Sequence, residues 1–138
     1  MKIKTSFVTN SSSTCFVIVR KKDFTLPEFL QEIGLDEKSP FKDIFERLFE
    51  LLHEGVYDAR EFVEKHRWHK DGETYEHFIL RLFSQETLDK LLKAELDGYT
   101  VYMGDLLSDN GIVEAFFCTS SFIIDTPNLF VDATVDGW

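Results

Sequence analysis

The sequence predicts a single α+β domain, with an N-terminal β-hairpin and C-terminal antiparallel strands in one sheet packed against about four central helices. Three observations predict this class. Short apolar runs lie near both ends of the chain, and apolar residues recur at three- and four-residue spacing in the middle. The length of 138 residues suits one domain, and no linker or repeat divides residues 1–138.

The N-terminal segment predicts the hairpin. Residues 2–8 alternate apolar and polar side chains, and residues 14–19 are aromatic and β-branched. Between them lies a turn-rich interruption formed by Asn10, Ser11, Ser12 and Ser13. We expect a structured loop there, or alternatively a recognition or modification loop that presents several hydroxyl groups.

Helix start signals follow in order along the middle of the chain. The motif Thr25-Leu-Pro-Glu28 has capping-box spacing, and Gly34 ends this short helix. Ser39-Pro40 repeats the start signal before the strongly amphipathic residues 41–52. Two helices are thus predicted in the first half.

Three further segments complete the helical middle. Residues 58–66 predict a helix, whereas residues 75–83 fit a helix or a strand equally well. Ser84 is the expected N-cap of a helix that Asp97-Gly98 ends. After Gly98, four short apolar runs predict strands at residues 99–103, 112–118, 122–124 and 129–131. Asn110-Gly111 predicts a hairpin turn.

The charge of the chain is unevenly distributed. The formal net charge is -10, yet residues 1–22 hold five basic side chains and no acid, and residues 94–138 hold eight acids and no Lys or Arg. This balance argues against binding of a nucleic-acid backbone, which needs clustered cations. It favours a protein partner with a basic surface, or solubility alone. The candidate contacts are an acidic row on one helix and three later acids: Asp43, Glu46, Glu50, Glu54, Asp105, Asp109 and Glu114.

A histidine-rich basic island occupies residues 65–70. His66 and His69 are three residues apart, which would place both rings on one helical face, and His77 lies nearby. A metal-dependent hydrolase built on these three histidines is therefore one alternative. Arg67 and Trp68 offer a different one, a contact with a partner. A solvated helix end accounts for the same residues without either role.

No cofactor, membrane span or secretory signal is predicted. No glycine-rich phosphate loop occurs, and no run approaches the length of a membrane helix. The two cysteines, Cys15 and Cys118, lie in apolar runs and are expected to be buried free thiols. We therefore expect a cytoplasmic protein, with its oligomeric state left open.

The segment Phe7-Val-Thr-Asn-Ser-Ser-Ser-Thr-Cys-Phe16 carries a resemblance that covers about the first 18 residues. It resembles the opening of small, mostly uncharacterised phage and prokaryotic proteins. The resemblance implies a phage or mobile-element origin and no particular reaction. With the acidic rows it favours a binding protein, such as an anti-CRISPR-like inhibitor of a host defence enzyme. The metal-dependent hydrolase and a structural or assembly component remain alternatives.

Overall fold

The computed structural model describes residues 13–36, 38–66, 68–107 and 122–135. Five helices and five strands lie in these ranges, which confirms the α+β class. In chain order they are β1 (Ser13–Arg20), α1 (Leu26–Glu32), α2 (Lys42–Glu54), β2 (Tyr57–Asp58), α3 (Ala59–Lys65), α4 (Tyr75–Leu82), α5 (Gln85–Leu96), β3 (Val101–Leu107), β4 (Phe122–Asp125) and β5 (Leu129–Ala133).

The strands form one antiparallel sheet in the order β2-β3-β1-β5-β4. The central strand is β1, which pairs with β3 from Ser13 opposite Leu107 to Val19 opposite Val101. On its other side it pairs with β5. The expectation that strands from both ends of the chain share one sheet is confirmed.

Helices cover both faces of this sheet. Phe16 and Ile18 of β1 point toward α1 and α2, and Cys15, Val17 and Val19 point toward α3, α4 and α5. All five side chains are buried. Successive residues of a strand point to opposite faces, and here helices cover both faces. The molecule therefore has two apolar cores, one on each side of the sheet.

Side-chain caps account for where four of the five described helices begin, whereas α2 begins at Lys42 without such a cap, after the predicted Ser39-Pro40 start signal. In α1, the Thr25 hydroxyl accepts from the Glu28 amide, and the Glu28 carboxylate accepts from the Thr25 amide at 3.0 Å. This bond from Thr25, helped by Lys22, lowers the pKa of Glu28 to about 2. Ser84 caps α5 as predicted, and Asp58, the first residue of the predicted 58–66 helix, is the cap of α3.

The ambiguous residues 75–83 form a helix, α4. The Thr74 hydroxyl accepts from the His77 amide at its start, and the helix buries Tyr75, Phe78 and Ile79. This helix brings the number of described helices to five, where about four were predicted. The predicted strands at residues 2–8 and 112–118, the Asn110-Gly111 turn and Cys118 lie outside the described residues. Among the described helices, none has both the length and the apolar character to cross a bilayer.

Gly104 of β3 lies where two segments of backbone come very close. A Cβ atom added there would lie 2.3 Å from the Gly55 carbonyl oxygen and 2.9 Å from the Phe16 ring. The segment between α2 and β2 is thereby held against the middle of β3. Only glycine fits at this position without displacing its neighbours.

We expect Gly104→Ala to lower the free energy of unfolding by about 3 kcal/mol or more, because the added methyl group meets backbone that cannot turn aside. Gly72→Ala is the control: its φ of +75° is unfavourable for alanine but no atom lies within 4 Å, so about 1–2 kcal/mol is expected. Urea denaturation of both variants measures the difference. An equal or smaller loss for Gly104→Ala would contradict the close approach.

Candidate functional site

A surface cleft of about 360 Å³ lies where the edge strand β2, helix α3 and strand β3 meet. Its walls combine aromatic and charged side chains. They are Tyr57, Glu61, Phe62, Lys65, His66 and Asp105. The cleft brings together His66 and Asp105, which the sequence had placed in separate candidate groups.

Helix α3 positions most of the cleft. The Asp58 carboxylate caps it by accepting from the amides of Arg60 and Glu61 at 3.1 and 3.3 Å. Ala59 and Val63 are buried against the sheet, so the helix presents another face to the cleft. There the Phe62 ring stacks on Tyr57, with centroids 6.4 Å apart and planes inclined by 19°.

His66 is fixed by hydrogen bonds from both ring nitrogens. Nδ1 accepts from the Trp68 amide at 3.1 Å, and Nε2 lies 3.1 Å from Oδ1 of Asp105. A backbone amide can only donate, so Nδ1 carries no proton and Nε2 donates its proton to Asp105. The side chain is only 5% exposed and contacts the rings of Phe62, Trp68 and Phe78.

This tautomer decides what the pair can do chemically. The His66 ring has no free lone pair with which to take a proton, because Nδ1 is occupied by the Trp68 amide. Asp105 accepts the hydrogen bond that the neutral ring donates. The pair therefore holds a carboxylate in place at a cleft, and its geometry is that of a binding site.

The structure does not assemble the three histidines as the sequence spacing suggested. Helix α3 ends at Lys65 and His66 has extended backbone (φ -76°, ψ 140°), so His66 and His69 do not share a helical face. His69 Nε2 bonds the Glu73 carbonyl at 2.8 Å, and His77 Nδ1 lies 2.6 Å from the Glu73 carboxylate. Throughout the described ranges, no group of three His, Cys, Asp or Glu side chains is arranged to hold a metal ion.

Glu73 is the centre of a second polar cluster beside the cleft. Its side chain is 2% exposed and accepts two bonds from Arg81, both at 2.9 Å, and one from the Lys70 amide at 3.2 Å. Arg81 also donates to the Trp68 carbonyl at 2.7 Å. These bonds, those from Arg81 above all, hold the pKa of Glu73 well below its ordinary value of 4.5. The cluster fastens the turn that carries Trp68 to α4.

The acidic row of α2 lies on the helix surface. Asp43, Glu50 and Glu54 are exposed and Glu46 is half-buried, while Arg47 pairs with Glu50 at 2.9 Å. Glu54 precedes Tyr57 by three residues, a span of at most about 11 Å. The row therefore approaches the cleft at its C-terminal end.

The other candidate residues have different outcomes. Trp68 is half-buried and packs against the core that α3, α4 and α5 share. Ser13 is the first residue of β1, and its side chain lies outside the described set. The same holds for every atom of the remaining candidates: Asn10, Ser11, Ser12, Arg67, Asp109 and Glu114.

Sequence reasoning missed the aromatic wall of the cleft. Phe62 packs against the core and also stacks on Tyr57, a residue to which no role was assigned from the sequence. The signal in the sequence was Tyr57, an aromatic residue with a polar hydroxyl group directly before Asp58, where the predicted helix begins.

In comparisons with known proteins, no family model, no curated protein and no solved structure matches the chain.

The buried Glu73 cluster predicts a pH dependence of stability. A carboxyl whose pKa is lowered by folding stabilises the folded state above its ordinary pKa of 4.5, and this contribution is lost as the pH falls below that value. The stability difference between the wild type and Glu73→Gln should therefore be constant above about pH 5.5 and shrink toward pH 3. Denaturant unfolding at several pH values measures it.

Glu64→Gln is the matched control, since Glu64 is an exposed carboxylate on α3. Its stability difference from the wild type should be small at every pH. A Glu73→Gln difference that stays unchanged down to pH 3 would contradict the described bonds to Arg81.

Proposed function

We propose that the protein acts by binding, with its acidic surface docked on a basic surface of a partner protein and with no catalysis of its own. The observation that carries the proposal is the arrangement of His66 and Asp105. A neutral ring with both nitrogens bonded holds a carboxylate at the mouth of an aromatic cleft. Such a fixed charge suits recognition of a cation better than proton transfer.

The row on α2 adds to this surface. Four carboxylates follow one another at positions 43, 46, 50 and 54, and the lysine and arginine of this helix are Lys42, at its start, and Arg47, which pairs with Glu50. Exposed acidic groups arranged along one direction attract and orient a basic partner. Glu54, at the C-terminal end of the row, precedes Tyr57 of the cleft by three residues along the chain.

The class of partner is proposed from the N-terminal resemblance and the charge together. A phage or mobile-element protein with such acidic groups would serve as an accessory or inhibitory protein. Its partner would be a nucleic-acid-processing enzyme of a host defence system, in the manner of an anti-CRISPR protein. The acidic side chains would then occupy the Arg and Lys surface that normally holds a phosphate backbone.

Salt dependence tests this proposal. The immobilised protein should retain basic proteins from a prokaryotic lysate at low ionic strength and release them as the salt concentration rises. Added salt shortens the Debye length, the distance over which charges act, to about 8 Å at 0.15 M. For a purified retained partner, the triple variant Asp43→Asn, Glu50→Gln, Glu54→Gln should weaken binding roughly 3- to 150-fold at low salt, from about 0.2–1 kcal/mol per exposed charge. Calorimetry measures the affinity.

The matched control removes the same number of exposed acids elsewhere, with Asp71→Asn, Glu86→Gln and Asp89→Asn. It should weaken binding less than the α2 variant and leave most of the salt dependence in place. Salt-insensitive binding, or equal losses for the two triple variants, would contradict a specific acidic docking surface.

A further inference from the structure

We infer that the cleft between Tyr57 and Asp105 takes one arginine side chain of the partner. This inference rests on the proposed function, since it names the group that the acidic surface recognises. The cleft has the two parts that a guanidinium group requires, an aromatic face and a carboxylate. None of the six described side chains that line it is an arginine.

The aromatic part is accessible. Tyr57 is 63% exposed, a large value for an aromatic ring that is stacked on a second ring, Phe62. A guanidinium group is planar and weakly hydrated, so it stacks on such a ring at little cost in lost hydration. An aliphatic partner group would leave the adjacent carboxylates without a counter-charge.

The charged part is net negative. Glu61 and Asp105 each carry a carboxylate, and Lys65 carries the one positive charge among the lining residues that the structure describes, where the His66 ring is neutral. Within the described part of the chain, neither Glu61 nor Lys65 forms an ion pair. His66 engages one oxygen of Asp105, and no other side chain in the described ranges bonds the second one.

The protein makes the same combination twice with its own arginines. Arg60 lies 4.4 Å above the Tyr75 ring and donates two bonds to Glu95 at 3.1 and 3.0 Å. Arg81 lies 5.5 Å from the Phe78 ring centre and donates two bonds to Glu73. In both cases a guanidinium group joins a ring face to a carboxylate. The cleft offers the same pair of groups to an arginine from outside.

A short peptide tests the cleft without the partner. The probe is acetyl-Gly-Arg-Gly-amide, which is titrated into the ¹⁵N-labelled full chain while the backbone amide signals are followed by NMR. It should shift the amide signals of Phe62, His66 and Asp105, and the citrulline peptide, which has the same shape and no charge, should not. A lysine peptide should bind more weakly than the arginine peptide. Equal shifts with the citrulline peptide, or none with the arginine peptide, would overturn the inference.

Substitutions in the cleft have opposite expected signs, which separates binding from a general loss of folding. Asp105→Asn keeps an oxygen for His66 and should weaken arginine binding roughly two- to fivefold, while Lys65→Gln should strengthen it by a similar factor. Tyr57→Ala should weaken binding, and Tyr57→Phe, which keeps the ring, should not. Changes of the same sign for Asp105→Asn and Lys65→Gln would overturn the assignment.

The purified partner distinguishes this inference from the proposed function. If Tyr57→Ala and the α2 triple variant each weaken the complex, the result supports the proposed function and the arginine site. If only the α2 variant does, the acidic docking surface stands and the arginine site is overturned. If neither does, the proposed function fails, and the peptide titration alone then decides whether the cleft binds arginine.

Discussion

Strand β1 sends apolar side chains to both faces of the sheet, and both layers of helices pack on it. Phe16 and Ile18 fill one core, and Cys15, Val17 and Val19 fill the other. The same strand holds β3 and β5 in register by backbone hydrogen bonds. Each of these elements depends on β1, so a change in its register would move the two cores and the cleft together.

The cleft is a consequence of that register. Cys15 pairs with Asp105, so the carboxylate follows from the position of a buried residue in the central strand. Gly104, one residue before it, admits the backbone of Gly55, and β2 then brings Tyr57 alongside β3. Asp105 is presented to α3 at the edge of the sheet, where His66 can reach it. The recognition proposed for this site thus depends on packing far inside the molecule.

Some of the basic side chains near the N-terminus make contacts within the fold. Arg20 lies over the Tyr102 ring, Lys21 over Tyr99, and Lys22 pairs with Glu28 at 3.0 Å. The described basic residues that follow β1 therefore contact neighbouring side chains. On α2, by contrast, Asp43, Glu50 and Glu54 are exposed, and Arg47 pairs with Glu50. Among the described lining residues of the cleft, Glu61 and Asp105 outnumber the one basic residue, Lys65.

Features encoded by neighbouring residues could be predicted from the sequence. The caps at Thr25 and Ser84 act within one helical turn, and both were correct. Residues 75–83 could not be assigned, because their apolar spacing suits both structures and burial against the sheet selects the helix. His66 and Asp105 are 39 residues apart, and only the pairing of β3 with β1 brings them together. Local spacing suggested a metal site at His66 and His69, but the end of α3 at Lys65 separates the two rings.

The protonation of His66 is central, because a neutral ring that donates to Asp105 is what leaves a fixed negative charge in the cleft. Long-range ¹H–¹⁵N NMR of the imidazole at neutral pH measures it directly. We expect the proton on Nε2 and a bare Nδ1 that accepts from the Trp68 amide. A proton on Nδ1, or a doubly protonated ring, would contradict the account, since either removes the bond from Trp68.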